Sequence, residues 1–96
     1  MNIELKAEDD MRVKIFKALS DPTRIEIIRT LYTVNKEMAC GEVGEYCSIS
    51  KSNASYHFRT LREAELIEVR KEAQTKYTKL NQGTFHKYLP GFLATL

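Results

Sequence analysis

The chain has 96 residues, a length that predicts a single domain with a small hydrophobic core. Hydrophobic residues make up 43% and charged residues 29% of it, which excludes a disordered, collagen-like or coiled-coil chain. No run approaches the roughly 18–20 apolar residues of a membrane span, and the acidic first ten residues do not have the pattern of a signal peptide. The two cysteines imply no disulfide framework, so we expect a protein of the reducing cytoplasm.

The net charge of +2 is distributed unevenly along the chain. Residues 1–49 carry seven basic and nine acidic residues, whereas residues 50–80 carry seven basic and four acidic ones. A basic surface is therefore expected in the second half of the chain, and not over the whole molecule.

Two helices are predicted in the first third of the chain. The first begins near residues 9–10, which are both aspartate, and ends near Ser20. It carries an apolar stripe of Met11, Ile15 and Leu19, with Phe16 alongside. The second begins after Asp21, a capping residue, with Pro22 at its first position, where the missing N–H costs nothing. Its predicted buried face is made of Ile25, Ile28 and Leu31.

The next segment predicts a short helix over about residues 40–46 and a longer helix that is capped by Ser50. In the longer helix, the residues spaced to face the core are Ala54, Phe58 and Leu61. His57 lies about 60° from that face and is expected to pack against the structure. The opposite face carries Ser52, Ser55, Tyr56, Arg59 and Glu63, flanked by Asn53 and Thr60. Short hydroxyl and amide side chains are poor helix formers, so we expect something other than helix propensity to keep them on this face. Contact with base edges in a major groove would be one such reason.

Two strands over residues 66–72 and 75–80 are predicted to follow, joined by a tight turn at Ala73 and Gln74. Three basic residues of this hairpin lie near its tip and suit contact with phosphates: Arg70, Lys71 and Lys76. The interleaved glutamates also suit an ordinary solvated hairpin end. The last segment carries an apolar stripe of Phe85, Tyr88, Leu89, Phe92, Leu93 and Leu96. Pro90 and Gly91 interrupt this stripe and predict a kinked helix or one that begins near Pro90.

This order of elements and two local sequences resemble the ArsR-type winged helix-turn-helix bacterial transcriptional repressors. Residues 18–24, ALSDPTR, are similar to LADPTR of that family, and residues 50–67, SKSNASYHFRTLREAELI, are similar to its LSQSTVSHHLKVLREAGLV. The resemblance covers roughly residues 11–80. It implies an α+β, mostly helical fold in one domain over residues 1–96. The helix-turn-helix would occupy about 39–62 and a two-stranded β-hairpin wing about 66–81, with N- and C-terminal dimerisation helices.

The resemblance further implies a homodimer that binds a palindromic operator in double-stranded DNA and releases it when an inducer binds. We expect bases to be contacted by Ser52, Asn53, Ser55, Tyr56, Arg59 and Thr60. The DNA backbone and the wing contacts are assigned to Lys51, Arg62, Arg70, Lys71 and Lys76. The dimer interface is assigned to Met11, Ile15, Phe85, Tyr88, Leu89, Phe92 and Leu93.

Two departures from the family concern metals. Where many members have ELCVCEL, whose two cysteines bind arsenic, antimony or cadmium, this chain has Ala39 and Gly41 with Cys40 between them. Other members bind zinc through the last helix, where this chain offers only His86 and no acidic residue after Glu72. We therefore expect no metal and no cofactor.

An enzyme is not expected, because no catalytic residue pattern, phosphate-binding glycine loop or metal-ligand cluster is visible. Two alternatives to a simple DNA-binding repressor stay open. One is a thiol- or redox-responsive regulator that uses Cys40 or Cys47, although free cysteines more often serve as small buried apolar groups. The other is a winged helix that acts as a protein-interaction module.

Overall fold

The computed structural model describes residues 3–96. Its helices are α1 (Ile3–Leu19), α2 (Pro22–Val34), α3 (Cys40–Tyr46), α4 (Lys51–Glu63) and α5 (Gln82–Tyr88), followed by a short 3-10 helix over Leu93–Thr95. Its strands are β1 (Met38–Ala39), β2 (Ile67–Glu72) and β3 (Thr75–Leu80). This arrangement confirms the predicted α+β, mostly helical winged helix-turn-helix fold. In this described part of the chain, no helix has the length and apolar character needed to cross a membrane.

The first helix begins earlier than predicted. It starts at Ile3, with Glu4 in its first turn, so the acidic pair at residues 9–10 lies inside the helix and not at its start. The Asp9 carboxylate accepts a hydrogen bond from Arg12 at 2.7 Å, one turn further on. An acidic residue suits both a helix start and an i,i+3 ion pair, which is why the pattern misplaced the boundary.

The second helix begins as predicted. The Asp21 side chain accepts hydrogen bonds from the backbone N–H groups of Thr23 and Arg24 at 2.7 and 3.1 Å, and Pro22 occupies the first helical position. Of its predicted buried face, Ile28 and Leu31 are buried, whereas Ile25 is only half-buried. The other buried residues of this helix, which the prediction did not name, are Arg24, Ile27 and Thr30. Positions 24, 27, 28 and 31 follow the true i, i+3, i+4, i+7 stripe.

The helix-turn-helix is formed by α3 and α4. After α3, Ser48 adopts a left-handed backbone with φ 56°, and the Ile49 N–H donates to the Gly44 carbonyl at 2.9 Å. The chain thereby turns into α4, whose cap is the predicted Ser50, with its hydroxyl accepting from the Asn53 N–H at 3.4 Å. These caps fix the angle at which α4 leaves the turn.

The three strands form an antiparallel sheet in the order β1-β3-β2. The hairpin of β2 and β3, here called the wing, pairs Glu72 with Thr75 across the predicted turn, where Ala73 has a positive φ of 53°. Sequence analysis missed β1, which pairs Met38 with Thr78. A strand of two residues has too few positions to show an alternating pattern.

The C-terminal segment differs from the prediction of a kinked or late helix. Helix α5 begins after the cap Asn81 and ends at Tyr88, since Pro90 disfavours helical backbone in the residue before it. Gly91 takes a positive φ of 84°, and the chain folds back so that the Phe92 ring stacks parallel to that of Phe85, with centroids 6.2 Å apart. The apolar stripe is therefore split between α5 and the turn after it.

The core lies between the helices and one face of the sheet. Every helix from α1 to α5 contributes to it, as does the start of β2. Its buried apolar residues are Ile15, Ala18, Ile27, Ile28, Leu31, Val43, Phe58, Leu61, Ala64, Leu66, Ile67 and Phe85. Because α4 buries Phe58 and Leu61 there, its opposite face is directed to solvent.

Candidate nucleic-acid interface

The outward face of α4 presents the side chains predicted to meet bases. Exposed residues on it are Ser52, Asn53, Ser55, Tyr56 and Arg59, and Thr60 is half-buried with its hydroxyl donating to the Tyr56 carbonyl at 3.0 Å. The Tyr56 side chain is 54% exposed, and the Arg59 guanidinium carbon lies 5.9 Å from its ring centre. A tyrosine and an arginine thus stand side by side at the middle of this face.

An open cleft of about 750 Å³ separates α4 from the wing. Its floor is apolar and includes Ile49, Phe58 and Val69. Its border carries five cationic side chains against the single acidic residue Glu45: Lys51, Arg59, Arg62, Lys71 and Lys76. Within residues 3–96, none of the five forms an ion pair, whereas Arg12, Arg29, Arg70, Lys79 and Lys87 all do. The cleft is therefore bordered by positive charge that nothing else in the described chain neutralises.

The predicted wing cluster is divided between two faces of the hairpin. Lys71 and Lys76 are paired across the strands and line the cleft. Arg70 is paired with Tyr77 and lies on the other face, with its guanidinium carbon 4.6 Å from that ring. Since neighbouring residues of a strand point to opposite sides, three basic residues at 70, 71 and 76 do not share one surface.

Arg70 is engaged in a network of acidic groups. It donates to both carboxylate oxygens of Glu37, at 2.9 and 2.6 Å, and to Glu72 at 3.0 Å. The hydrogen bond from Arg70 lowers the pKa of Glu37, and these bonds in turn raise the pKa of Arg70. The bidentate contact joins β2 to the segment that precedes β1.

One residue that sequence analysis did not assign to the site lies directly behind it. Arg24 of α2 is 8% exposed, and its Nη1 lies 3.1 Å from Nδ1 of His57 on α4. His57 is half-buried, in agreement with the prediction that it packs against the structure. Arg24 is a charged residue at one position of the otherwise apolar stripe of α2, and this pattern could have indicated a buried cation.

The two cysteines lie in different surroundings and both have a raised pKa. Cys40, at the start of α3, lines the cleft, and burial raises the pKa of its thiol. Burial also raises the pKa of Cys47, whose sulfur lies 3.5 Å from the Thr30 hydroxyl. A raised pKa reduces the thiolate fraction, and the thiolate is the reactive form and the metal ligand.

The residues present do not fit the metal sites of the resembled family. Ala39 and Gly41 at the start of α3 have no ligand atoms in their side chains, and residues 3–96 contain no group of three or more His, Cys, Asp or Glu side chains placed to hold a metal ion. These residues therefore lack the ligands that either kind of metal site requires.

The predicted dimer residues fall into two groups. Ile15 and Phe85 are only 1% and 2% exposed within this single chain, so neither is available to a partner without opening the core. The other five are half-buried: Met11, Tyr88, Leu89, Phe92 and Leu93. The assignment of the dimer interface left out the exposed apolar side chains of α1, namely Ile3, Leu5, Val13 and Phe16. Val13 and Phe16 follow each other at i,i+3, a spacing that gave a signal for a second apolar stripe.

Comparison with known proteins places this geometry among regulators of transcription. Residues 19–70 match the model of a helix-turn-helix domain family. The chain is 59% identical over 91 residues to the uncharacterized HTH-type transcriptional regulator YceK of Bacillus subtilis, a match that covers 95% of this chain and 91% of that protein. It is 39% identical over 67 residues to the transcriptional repressor SdpR of the same organism, covering 70% of this chain and 72% of the repressor.

Solved structures agree on the fold. The homodimeric winged helix-turn-helix DNA-binding domain Mb0332 of Mycobacterium bovis, a possible ArsR-family transcriptional regulator, superposes with a TM-score of 0.81. The superposition covers 99% of this chain and 87% of that domain at 19% identity, so this likeness concerns the fold alone.

Proposed function

Since the chain belongs to the ArsR-type winged helix-turn-helix family of transcriptional regulators and is not an enzyme, we propose that it is a transcriptional repressor of the cytoplasm. It acts as a homodimer and binds a palindromic operator in double-stranded DNA. The observation that carries this proposal is the set of five cations around the cleft between α4 and the wing, which have no ion-pair partner among residues 3–96. A phosphate backbone that follows this cleft neutralises those charges and releases its counterions, which favours binding.

In the proposed complex, α4 enters the major groove. Ser52, Ser55, Tyr56 and Arg59 face the base edges, with Asn53 and Thr60 at the flank. Arg59 suits a bidentate contact with a guanine, because its guanidinium has no carboxylate partner in the described chain and is oriented beside the Tyr56 ring.

The backbone contacts come from the two sides of the cleft. Lys51 and Arg62 lie at opposite ends of α4, and Lys71 and Lys76 lie across from them on the wing. The phosphodiester strand between the major groove and the adjacent minor groove passes between these two sides. Arg70 supports the wing through Glu37 and does not contact phosphates in this proposal.

The dimer surface of the proposal combines α1 with the C-terminal segment. Arg12 lies 5.6 Å from the Tyr88 ring centre, which places the end of α5 beside α1. Phe16, 58% exposed, continues this surface along α1. The homodimeric state of the Mycobacterium bovis domain of the same fold supports a two-fold dimer, in which the two α4 helices would meet half-sites about 34 Å apart.

The DNA-binding part of the proposal is tested with a duplex that the parent protein enriches from a random-sequence pool. Arg59→Ala should lower the affinity of the protein for this duplex. The ratio of this affinity to the affinity for random DNA should fall by about tenfold or more. Lys14→Ala on α1 removes the same charge away from the cleft and should bind like the parent protein. Equal affinities for the parent protein and Arg59→Ala would refute the groove assignment, and no enriched sequence at all would favour a protein-interaction module.

The dimer is tested by sedimentation. Phe16→Glu should shift the protein from dimer to monomer, because a carboxylate buried in an apolar interface loses its hydration and gains no partner of opposite charge. Tyr46→Glu changes an exposed aromatic residue of α3 in the same way and should leave the dimer intact. A parent protein that sediments as a monomer at all concentrations contradicts the proposal.

No observation favours the thiol-responsive alternative, since burial raises the pKa of both cysteines. It predicts that oxidant releases the protein from DNA and that Cys40→Ser or Cys47→Ser abolishes this release. We expect DNA binding to be the same with and without oxidant in the parent protein and in both variants.

A further inference from the structure

Arg24 of α2 contacts two other helices through its guanidinium group. Its Nε donates to the Ala18 carbonyl at 2.6 Å, and its Nη2 donates to the Lys17 carbonyl at 3.3 Å. Both carbonyls belong to the last turn of α1, where helix carbonyls have no partner within their own helix. Its Nη1 lies 3.1 Å from Nδ1 of His57 in α4. One buried side chain therefore joins the end of α1 to the middle of α4.

The chemistry of the pair fixes the state of His57. A guanidinium has donors only, so Nδ1 of His57 accepts the hydrogen bond and the neutral ring carries its proton on Nε2. The Tyr56 ring lies on the other side of this contact, with its centroid 5.7 Å from that of the His57 ring.

The same contact adjoins the exposed face of α4. The Arg24 guanidinium carbon lies 6.0 Å from the Tyr56 ring centre, and the Arg59 guanidinium carbon lies 5.9 Å from that ring. Arg24 is thus next to Tyr56 as well as to His57. A change at Arg24 is passed to two successive residues of the helix assigned to the major groove.

We propose that Arg24 is a positioning residue for DNA reading, which holds α4 against α1 and α2 through its hydrogen bond to neutral His57. This inference rests on the proposed function. The bond sets the rotation of α4 about its axis and hence the direction of Tyr56 and Arg59. An arginine hydrogen bond of this kind corresponds to about a tenfold change in an equilibrium constant.

The test compares two substitutions at His57, because replacing Arg24 itself would also remove its two hydrogen bonds to the last turn of α1. His57→Asn keeps an acceptor at the position of Nδ1, whereas His57→Leu removes it. Leucine is the better helix former, so a purely structural role favours the leucine variant. We expect the opposite for binding: on the duplex enriched by the parent protein, His57→Asn keeps its preference over random DNA within about twofold and His57→Leu loses about tenfold.

Parental preference in His57→Leu overturns the proposal. An equal loss in both variants also overturns it, since the imidazole itself would then contact DNA.

The failure of the proposed function can be told apart from failure of this inference. If the parent protein enriches no duplex, the proposed function fails. Amide hydrogen exchange of the free protein then tests the contact alone: His57→Leu should raise the exchange rate over residues 51–63 above that of His57→Asn. Equal exchange in the two variants refutes the positioning role.

Discussion

Lys71 and Lys76 lie directly opposite each other across the wing and line the same side of the cleft. Like charges at directly opposed positions of an antiparallel pair destabilise the hairpin. Neither lysine has an ion-pair partner among residues 3–96. A phosphate placed between the two ammonium groups would remove this repulsion, so the wing is better suited to the DNA-bound state than to the free one.

The first prediction concerns this lysine pair. Lys76→Ala should lower affinity for all DNA sequences alike and reduce the slope of log K against log salt by about one unit, because one phosphate contact is lost. Lys79→Ala is the matched control, since Lys79 lies on the same strand but pairs with Glu68 at 3.5 Å on the other face. Anisotropy titrations over a range of salt concentrations measure both slopes, and equal slopes for the two variants would contradict the assignment.

The second prediction concerns the end of α4. Glu65 has a left-handed backbone with φ 58°, and the Leu66 N–H donates to the Leu61 carbonyl at 3.0 Å, which is the helix-ending motif that glycine favours. Glu65→Gly should therefore raise the free energy of unfolding by about 0.5–1 kcal/mol. Glu63→Gly, within the helix, should lower it by about 1 kcal/mol. Urea unfolding measures both variants, and a loss of stability in Glu65→Gly would count against this explanation.

The third prediction is a pH dependence at the start of α2. Partial burial raises the pKa of Asp21, but the hydrogen bonds from the N–H groups of Arg24 and Thr23 outweigh it, and the pKa is lowered from 3.8. A carboxylate whose pKa is lower in the folded state stabilises the fold above its unfolded pKa, and this stability is lost as the pH falls through the folded pKa. Asp21→Asn should thus cost roughly 0.3–1 kcal/mol at pH 7.

The gap between the parent protein and Asp21→Asn should close below the unfolded pKa of 3.8, where the parent carboxylate takes up its proton. Thermal unfolding at neutral and at acidic pH measures this gap. A gap that is constant with pH would mean that the charge of Asp21 does not contribute.

Local signals were enough to predict most elements of the fold. The caps Asp21 and Ser50 fix two helix starts through hydrogen bonds to residues two or three positions away, so the sequence alone could place them. The apolar spacing of α4 likewise predicted which of its faces is exposed. Strand alternation around Ala73 and Gln74 located the wing, because a two-residue turn joins strands in one register.

Contacts between distant residues could not be predicted in the same way. Glu37 and Arg70 are separated by 33 residues, as are Arg24 and His57, and no local spacing links the members of either pair. The sequence therefore placed Arg70 among the phosphate contacts, although a carboxylate partner holds it on the other face of the wing. Buried Arg24 was missed for the same reason, since only the packed fold shows what its guanidinium contacts.

The last prediction concerns a hydroxyl group in the sheet. Thr78 on β3 is fully buried, and its side-chain oxygen has no hydrogen-bond partner among the described residues. A buried polar group without a partner costs free energy, and valine has nearly the same shape without the hydroxyl. Thr78→Val should raise the free energy of unfolding by about 1 kcal/mol.

Thr30→Val is the matched control for this substitution. Thr30 is also buried, but its hydroxyl donates to the Glu26 carbonyl at 2.9 Å, so valine there removes a hydrogen bond that exists. This variant should lose stability. Urea unfolding measures the free energy of unfolding of both variants. An unchanged m-value shows that a shift of the unfolding midpoint reflects a change in stability. If Thr78→Val were destabilised as much as Thr30→Val, the Thr78 hydroxyl would have to be hydrogen-bonded in the folded protein, for example to a buried water.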